Sequence, residues 1–368
     1  MNLRIPGPTP CPPEVLQAVG RQMINHRGPE FAAMLARIED RVKQVYQTKN
    51  EVALLTSGGT GAMEAIVVNT LSPGDHVLGV SIGSFGDRLA SIAETYGADV
   101  VRMKVDWGKA ADAAEIDKAL AADPKVKAVL VTHNETSTGV TNDLESIARA
   151  VRKHGDILIL VDAVSSLSSI PLPVDEWDLD AVASGSQKGW MVPPGVTMVS
   201  MSDRAWAAYK QAKMPRFYFD VGKSLDYSKN GQTPWTPAVS IFFGLDVALD
   251  MLLKEGMEKV FARHKRCADL AREGSKSLGL QLFADERYAS NTVTAVKVPE
   301  GVDGKALNKM LREEYDTVIG GGQQHLAGKI FRIGHLGWVH EADIEKTIEV
   351  IAKALPRLGY SPSRAAAT

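Results

Sequence analysis

The chain reads as an α/β protein. A large domain with a mostly parallel sheet flanked by helices is followed by a smaller C-terminal α+β domain. Three observations predict this. Strand-like and helix-like segments alternate along residues 51–202. The run ILILVDAV at 157–164 is almost continuously apolar, as a central parallel strand buried on both faces must be. A length of 368 residues suits two domains better than one core.

Taken in order, residues 1–20 carry prolines at 6, 8, 10, 12 and 13 and read as an extended arm. Phe31, Leu35, Ile38, Val42 and Val45 recur at helical spacing over 29–47. EVALLTSGG (51–59) is a strand ending in a glycine-rich turn, and 60–71 is the helix after it. HVLGVS (76–81) pairs with a helix over 85–97, and VKAVLVTHN (126–134) with one over 141–155. Thr141 or Asn142 is the expected cap of that last helix, and Gly155 its stop. LDAVASGS (179–186) and VTMVSMS (196–202) are two further strands. A long apolar helix over 236–256 closes the first unit. A charged helix (257–278), strands at 291–299 and 330–336, and helices at 303–314 and 341–354 make the second. The division is therefore 1–20 arm, 21–256 large domain and 257–368 small domain.

Composition excludes several classes. Forty-two Lys+Arg against 44 Asp+Glu give a net charge of −2, without the basic footprint of a nucleic-acid binder. Two cysteines, Cys11 and Cys267, can build neither a disulfide framework nor a multi-cysteine metal site. The Pro-rich start lacks the apolar core of a signal peptide, and no apolar run is long enough to span a membrane. SPSRAAAT at 361–368 carries no lipidation or peroxisomal address. The expectation is a cytoplasmic protein that binds neither membrane nor nucleic acid.

Ligands of open α/β sheets bind beyond the carboxyl ends of the strands. Four strands deliver chemistry there. Ser57-Gly58-Gly59-Thr60-Gly61 is either a bare tight turn or an anion cradle at a helix start. It matches neither the P-loop nor the dinucleotide fingerprint. Asp162 ends an apolar strand and is either a cap or ion-pair partner, or the partner of a cationic ring nitrogen. Lys188, in Ser184-Gly185-Ser186-Gln187-Lys188-Gly189, either reaches solvent or is held buried as a nucleophile or base. Phe85 is core or a stacking surface. In the second domain Arg332 is an interdomain ion pair or a carboxylate receptor. His26, His133 and Glu135 show no metal-ligand spacing and read as structural or as supports behind the site residues. Together a lysine, a carboxylate, a phosphate cradle, a ring stacker and an arginine describe one cofactor, pyridoxal 5′-phosphate.

The blocks PGPTPCPPEV, TSGGTGAMEA, THNETSTGV, ILILVDAVSSL, SGSQKGW, TPWTPAVS and FRIGHLGW stand in this order. In them the chain resembles the class V, fold-type I pyridoxal-phosphate aminotransferases, specifically the alanine–glyoxylate, serine–glyoxylate and serine–pyruvate group. The resemblance implies that Lys188 carries the cofactor and that Asp162 pairs with its ring nitrogen. It implies that Val164 and Phe85 flank the ring and that Ser137 lies near the cofactor's 3-hydroxyl. Gly59, Thr60 and Gln187 hold the phosphate, and Thr236 and Thr233 complete that site in the neighbouring subunit of a homodimer. Arg332 and Gly7 face the substrate, a small amino acid or a 2-oxo acid. Phe85 stands where relatives often have Trp or Tyr, Thr60 where mammalian-type members have His, and Thr233 where some have Tyr. Alternatives are aspartate or 2-aminoethylphosphonate as donor, a cysteine desulfurase-like lyase, and a non-catalytic complex subunit. The scarcity of cysteine argues against the lyase.

Overall fold

Seven strands form the larger sheet of the computed structural model, which describes residues 1–360. The order across the sheet is Val52–Leu55, Thr197–Met201, Ala181–Gly185, Leu158–Asp162, Ala128–Thr132, His76–Ser81 and Asp99–Lys104. All pairings are parallel except the two made by Thr197–Met201, which alone runs the other way. The inner strands are buried along their whole length. Separate apolar clusters fill the two sides of the sheet, one around Ile38, Val161 and Phe242, the other around Ile66, Leu130 and Leu160. Residues 361–368, with the terminal segment considered above, lie outside the described residues.

The smaller sheet runs Asn2–Arg4, Thr317–Gly321, Ile330–Gly334, Val293–Lys297. Leu307, Phe331, Ile344 and Ile351 form its core with the helices Met257–Ser277, Gly304–Tyr315 and Glu341–Arg357. Gly256, at φ 86°, turns the chain between the helices Val239–Glu255 and Met257–Ser277.

Three expectations need correction. Residues 1–20 are not a featureless arm. Asn2–Arg4 pairs in parallel with Thr317–Ile319, and Pro13–Val19 is a helix opened by proline at its first position. Val15 and Ala18 of that helix enter the large core, against Gly244, where any Cβ would meet Val19 Cγ2 at 2.7 Å. Next, the helix Leu144–Arg152 is capped by Asp143, which accepts the Ser146 N–H. Asn142 instead braces Ala111 N–H (2.8 Å) and Thr132 O (2.9 Å). Finally, strands Asp99–Lys104 and Thr317–Gly321 and helix Ala113–Ala122 were not anticipated. Asp99–Lys104 is an edge strand with no fully buried residue, and its Val100, Val101 and Met103 fall on both faces, so no single apolar face marks it.

Candidate active site

The parallel strands end on one edge, and the expected residues collect there. Lys188 lies just past Ala181–Gly185, in a loop pinned by Trp190, whose indole donates to Ser184 Oγ at 2.8 Å. The lysine is buried, and its Nζ donates to Pro6 O at 2.5 Å. Thr9 donates to the Lys188 carbonyl at 3.0 Å, so residues 6–9 clasp the lysine from both ends. Burial pushes the ammonium down to about 8, with Asp162 pulling upward and Arg332 and Arg88 pushing further down.

Asp162 closes the strand Leu158–Asp162 and is 3% exposed. Its Oδ1 accepts the Val164 N–H at 3.0 Å. Among the described residues no side chain bonds either oxygen, and burial pushes the carboxyl up to about 7. Such a carboxylate calls for a cationic partner, which the protein itself does not place against it.

A cavity of about 310 Å³ opens beside Lys188, lined by Gly7, Gly59, Thr60, Phe85, Val164 and Gln187 with Met63, Arg88 and the Pro8–Gly58 rim. Glycine is required at two places on its wall. A Cβ on Gly59 would sit 2.7 Å from Val164 Cγ1, and one on Gly7 (φ 129°) 2.6 Å from Lys188 Nζ. Gly59 also opens the helix Gly59–Thr70, whose first residues, Gly59, Thr60 and Gly61, line the cavity. Gln187 Oε1 is buried without a partner among the described residues. The set fits pyridoxal phosphate on its chemistry. It offers an amine, an unpaired carboxylate, a helix start free of side-chain capping, and an orphaned amide.

The remaining expected residues lie outside the cavity wall. Arg332 is buried, with Nε on Gly321 O and Nη1 on Thr136 O, both at 2.8 Å. Burial lowers it to about 10, so it stays a cation. Ser137 is fully buried. Its hydroxyl donates to Glu135 Oε1 (2.6 Å) and accepts from Ser84 N–H (3.0 Å), so it already has protein partners. Thr233 donates to Trp235 O at 2.7 Å, and Thr236 is exposed; neither lines the cavity of its own chain. His133 is buried with Nδ1 unpartnered among the described residues, and burial pushes it down to about 4. His26 is not on the cavity wall.

One residue was missed as part of the site. Arg88 lines the cavity, donates to Thr60 Oγ1 at 3.2 Å, and places its guanidinium 4.7 Å from the Phe85 ring centre. The available signal was its spacing, three residues after Phe85 on one helix. Glu135, read as structural or as a support behind the site, is fully buried. Burial pushes its carboxyl up, and donors from Ser137, Gly86 and Phe85 pull it back.

Burial holds both cysteine thiols up, Cys11 at about 11 and Cys267 at about 12. Neither is a thiolate near neutrality. No described helix is long and apolar enough to cross a membrane. Among the described residues no three His, Cys, Asp or Glu side chains are grouped to hold a metal.

Residues 2–335 match the family described as Aminotransferase class-V. The chain is 45% identical over 361 residues to a protein of Synechococcus sp. (strain PCC 6716) named soluble hydrogenase, small subunit, covering 98% of this chain and 94% of that one. It is 41% identical over 346 residues to the L-aspartate–glyoxylate aminotransferase of Paracoccus denitrificans, covering 92% and 87%. The crystal structure of an alanine–glyoxylate aminotransferase from Nostoc sp. superposes with a TM-score of 0.92 at 33% identity, covering 96% and 94%.

Proposed function

This chain belongs to the class V aminotransferases and is a pyridoxal-phosphate-dependent transaminase, and from that premise we propose that it transfers the amino group of alanine or serine to glyoxylate or pyruvate. The observation that carries the reading is the clasped Lys188 beside the bare walls of Gly7 and Gly59, with Asp162 unpaired by any side chain near it.

The cofactor, when bound, supplies a carbonyl that accepts the amino group and a ring that withdraws electrons from the donor's Cα. The chain does the rest. Lys188 Nζ would hold the cofactor, and its amine, kept partly unprotonated near neutral pH by burial, is the group placed to take the Cα proton of the donor. Asp162 keeps the proton on the ring nitrogen, since its buried carboxylate is stabilised by the positive charge there. Gly59 and Thr60, at the helix start, and Gln187 receive the phosphate. Phe85 and Val164 restrain the ring from its two faces. Arg332 takes the substrate carboxylate, and Gly7 leaves room for it. Both half-reactions use one site, so ping-pong kinetics follow.

A homodimer in the cytoplasm belongs to the same proposal. Thr233 and Thr236 lie outside their own cavity and complete the neighbour's phosphate site. Phe217 supports this placement: it is 70% exposed and stacks on Trp235 at 4.6 Å, next to Thr236. The division of the chain at residue 256 into cofactor and small domains is part of this reading.

Aspartate is the second reading. Arg88 adds a cation on the cavity wall, and the Paracoccus relative bears aspartate in its name. The name of the Synechococcus relative raises a third, a subunit of a larger assembly. Against it stands the presence together of Lys188, Asp162 and Arg332, all three buried.

A panel of amino donors decides among them. The purified, cofactor-loaded chain is mixed with alanine, serine, aspartate, 2-aminoethylphosphonate or cysteine, and its visible absorbance is followed. Bleaching by alanine or serine and recovery with glyoxylate or pyruvate is expected. Bleaching by aspartate alone establishes the second reading. Bleaching by none, or sulfide release from cysteine, overturns the proposal.

A further inference from the structure

Glu135 is a fully buried carboxylate with no salt-bridge partner among the described residues. Each of its oxygens takes two donors. Oε2 accepts the N–H groups of Phe85 (2.9 Å) and Gly86 (3.1 Å), and Oε1 accepts the N–H (3.0 Å) and hydroxyl (2.6 Å) of Ser137. A side chain so costly to bury is retained for what it fastens. On one side it caps the start of the helix Ser84–Thr95, which carries the ring-stacking Phe85. On the other it fixes the tight turn Glu135–Gly139, whose Thr136 carbonyl receives Arg332 Nη1.

We propose that Glu135 is a positioning residue for transamination, holding the Phe85 platform and the Arg332 carboxylate receptor in register through one carboxylate. It touches neither cofactor nor substrate. This rests on the reading of Phe85 and Arg332 given above, not on which amino acid is the donor.

Gly83 supplies an independent handle. Its φ of 167° is extended backbone that any residue adopts. A Cβ there would lie 2.5 Å from both Glu135 Cγ and Ser137 Oγ. Gly83→Ala therefore displaces the carboxylate without changing its charge. Glu135→Gln keeps the shape, but its amide presents a donor where two donors already point.

The test compares cofactor-loaded wild type, E135Q and G83A. The readouts are visible circular dichroism of the bound cofactor, and KM and kcat for the 2-oxo acid. Both variants should retain one cofactor per chain. Their visible circular dichroism should fall at least about twofold as Phe85 loosens, and KM should rise by on the order of tenfold, more than kcat falls, as Arg332 drifts. Wild-type dichroism and KM in either folded variant overturn the proposal. So does a lowered Tm with both readouts unchanged, since that is a purely structural role. If E135Q does not fold, G83A decides. An error in the assigned donor leaves the dichroism readable, so the two failures are separable.

Discussion

Lys188 and Asp162 are held buried, each displaced toward neutrality. An ordinary lysine, titrating near 10.5, keeps only about 0.3% of its amine neutral at pH 8; Lys188, at about 8, keeps roughly half. Only the neutral amine attacks a carbonyl. Cofactor uptake by the cofactor-free chain should accelerate about tenfold per pH unit up to about 8 and then level off. Stopped-flow absorbance measures this, and a rate still climbing at pH 9.5 contradicts the placement. Asp162→Asn should still take up cofactor, because Lys188 is unchanged, but should lose roughly 10²-fold or more in kcat, because the amide cannot hold the ring-nitrogen proton by charge. Both residues were legible in the sequence because chemistry restricts what can end an apolar strand. Arg88 was not. An arginine on an amphipathic helix reads as solvated surface, and only the fold turns Ser84–Thr95 so that it meets Thr60 and the cavity. Glu135 was legible as a structural or supporting group, but not by what it holds, because its partners are backbone N–H groups and one hydroxyl, which leave no charge pattern.

Among the elements, those with a strong apolar period were readable to within a few residues. Pro29–Tyr46, His76–Ser81 and Val239–Glu255 are examples. What the pattern could not resolve was which polar residue does which task at an element's end. Asn142 and Asp143 show this. The aspartate caps a helix at the surface, and the asparagine cross-braces two buried backbone groups. Asp143→Ala should cost about 1 kcal/mol. Asn142→Ala should cost more, about 2–3 kcal/mol, by leaving the Ala111 N–H and Thr132 carbonyl unsatisfied. Urea denaturation of the two variants measures the order, and the reverse order contradicts the assignment of the cap. The short strand Asn2–Arg4 was illegible because it exists through pairing with Thr317–Ile319, across most of the chain.

For the whole molecule, Phe217, Tyr218 and Trp235 form an exposed aromatic group, with Lys223 Nζ 4.4 Å from the Trp235 ring centre. If a second copy covers it, Phe217→Glu should convert dimers to monomers in sedimentation velocity. It should also weaken cofactor retention by about tenfold or more, since Thr236 of the other copy leaves the phosphate. A dimer that persists with unchanged retention would falsify the shared-site arrangement.

The pairing of Asn2–Arg4 with Thr317–Ile319 also sets a timetable for synthesis. The small sheet's partner near residue 320 must be made before the much earlier Asn2–Arg4 can be placed as a strand. Pro6 and Gly7, two and three positions beyond that strand, are the ones that abut Lys188. A nascent chain can therefore complete the large sheet long before its lysine is clasped. Cofactor capture is then a late, nearly post-translational event, although the lysine itself lies at the middle of the chain.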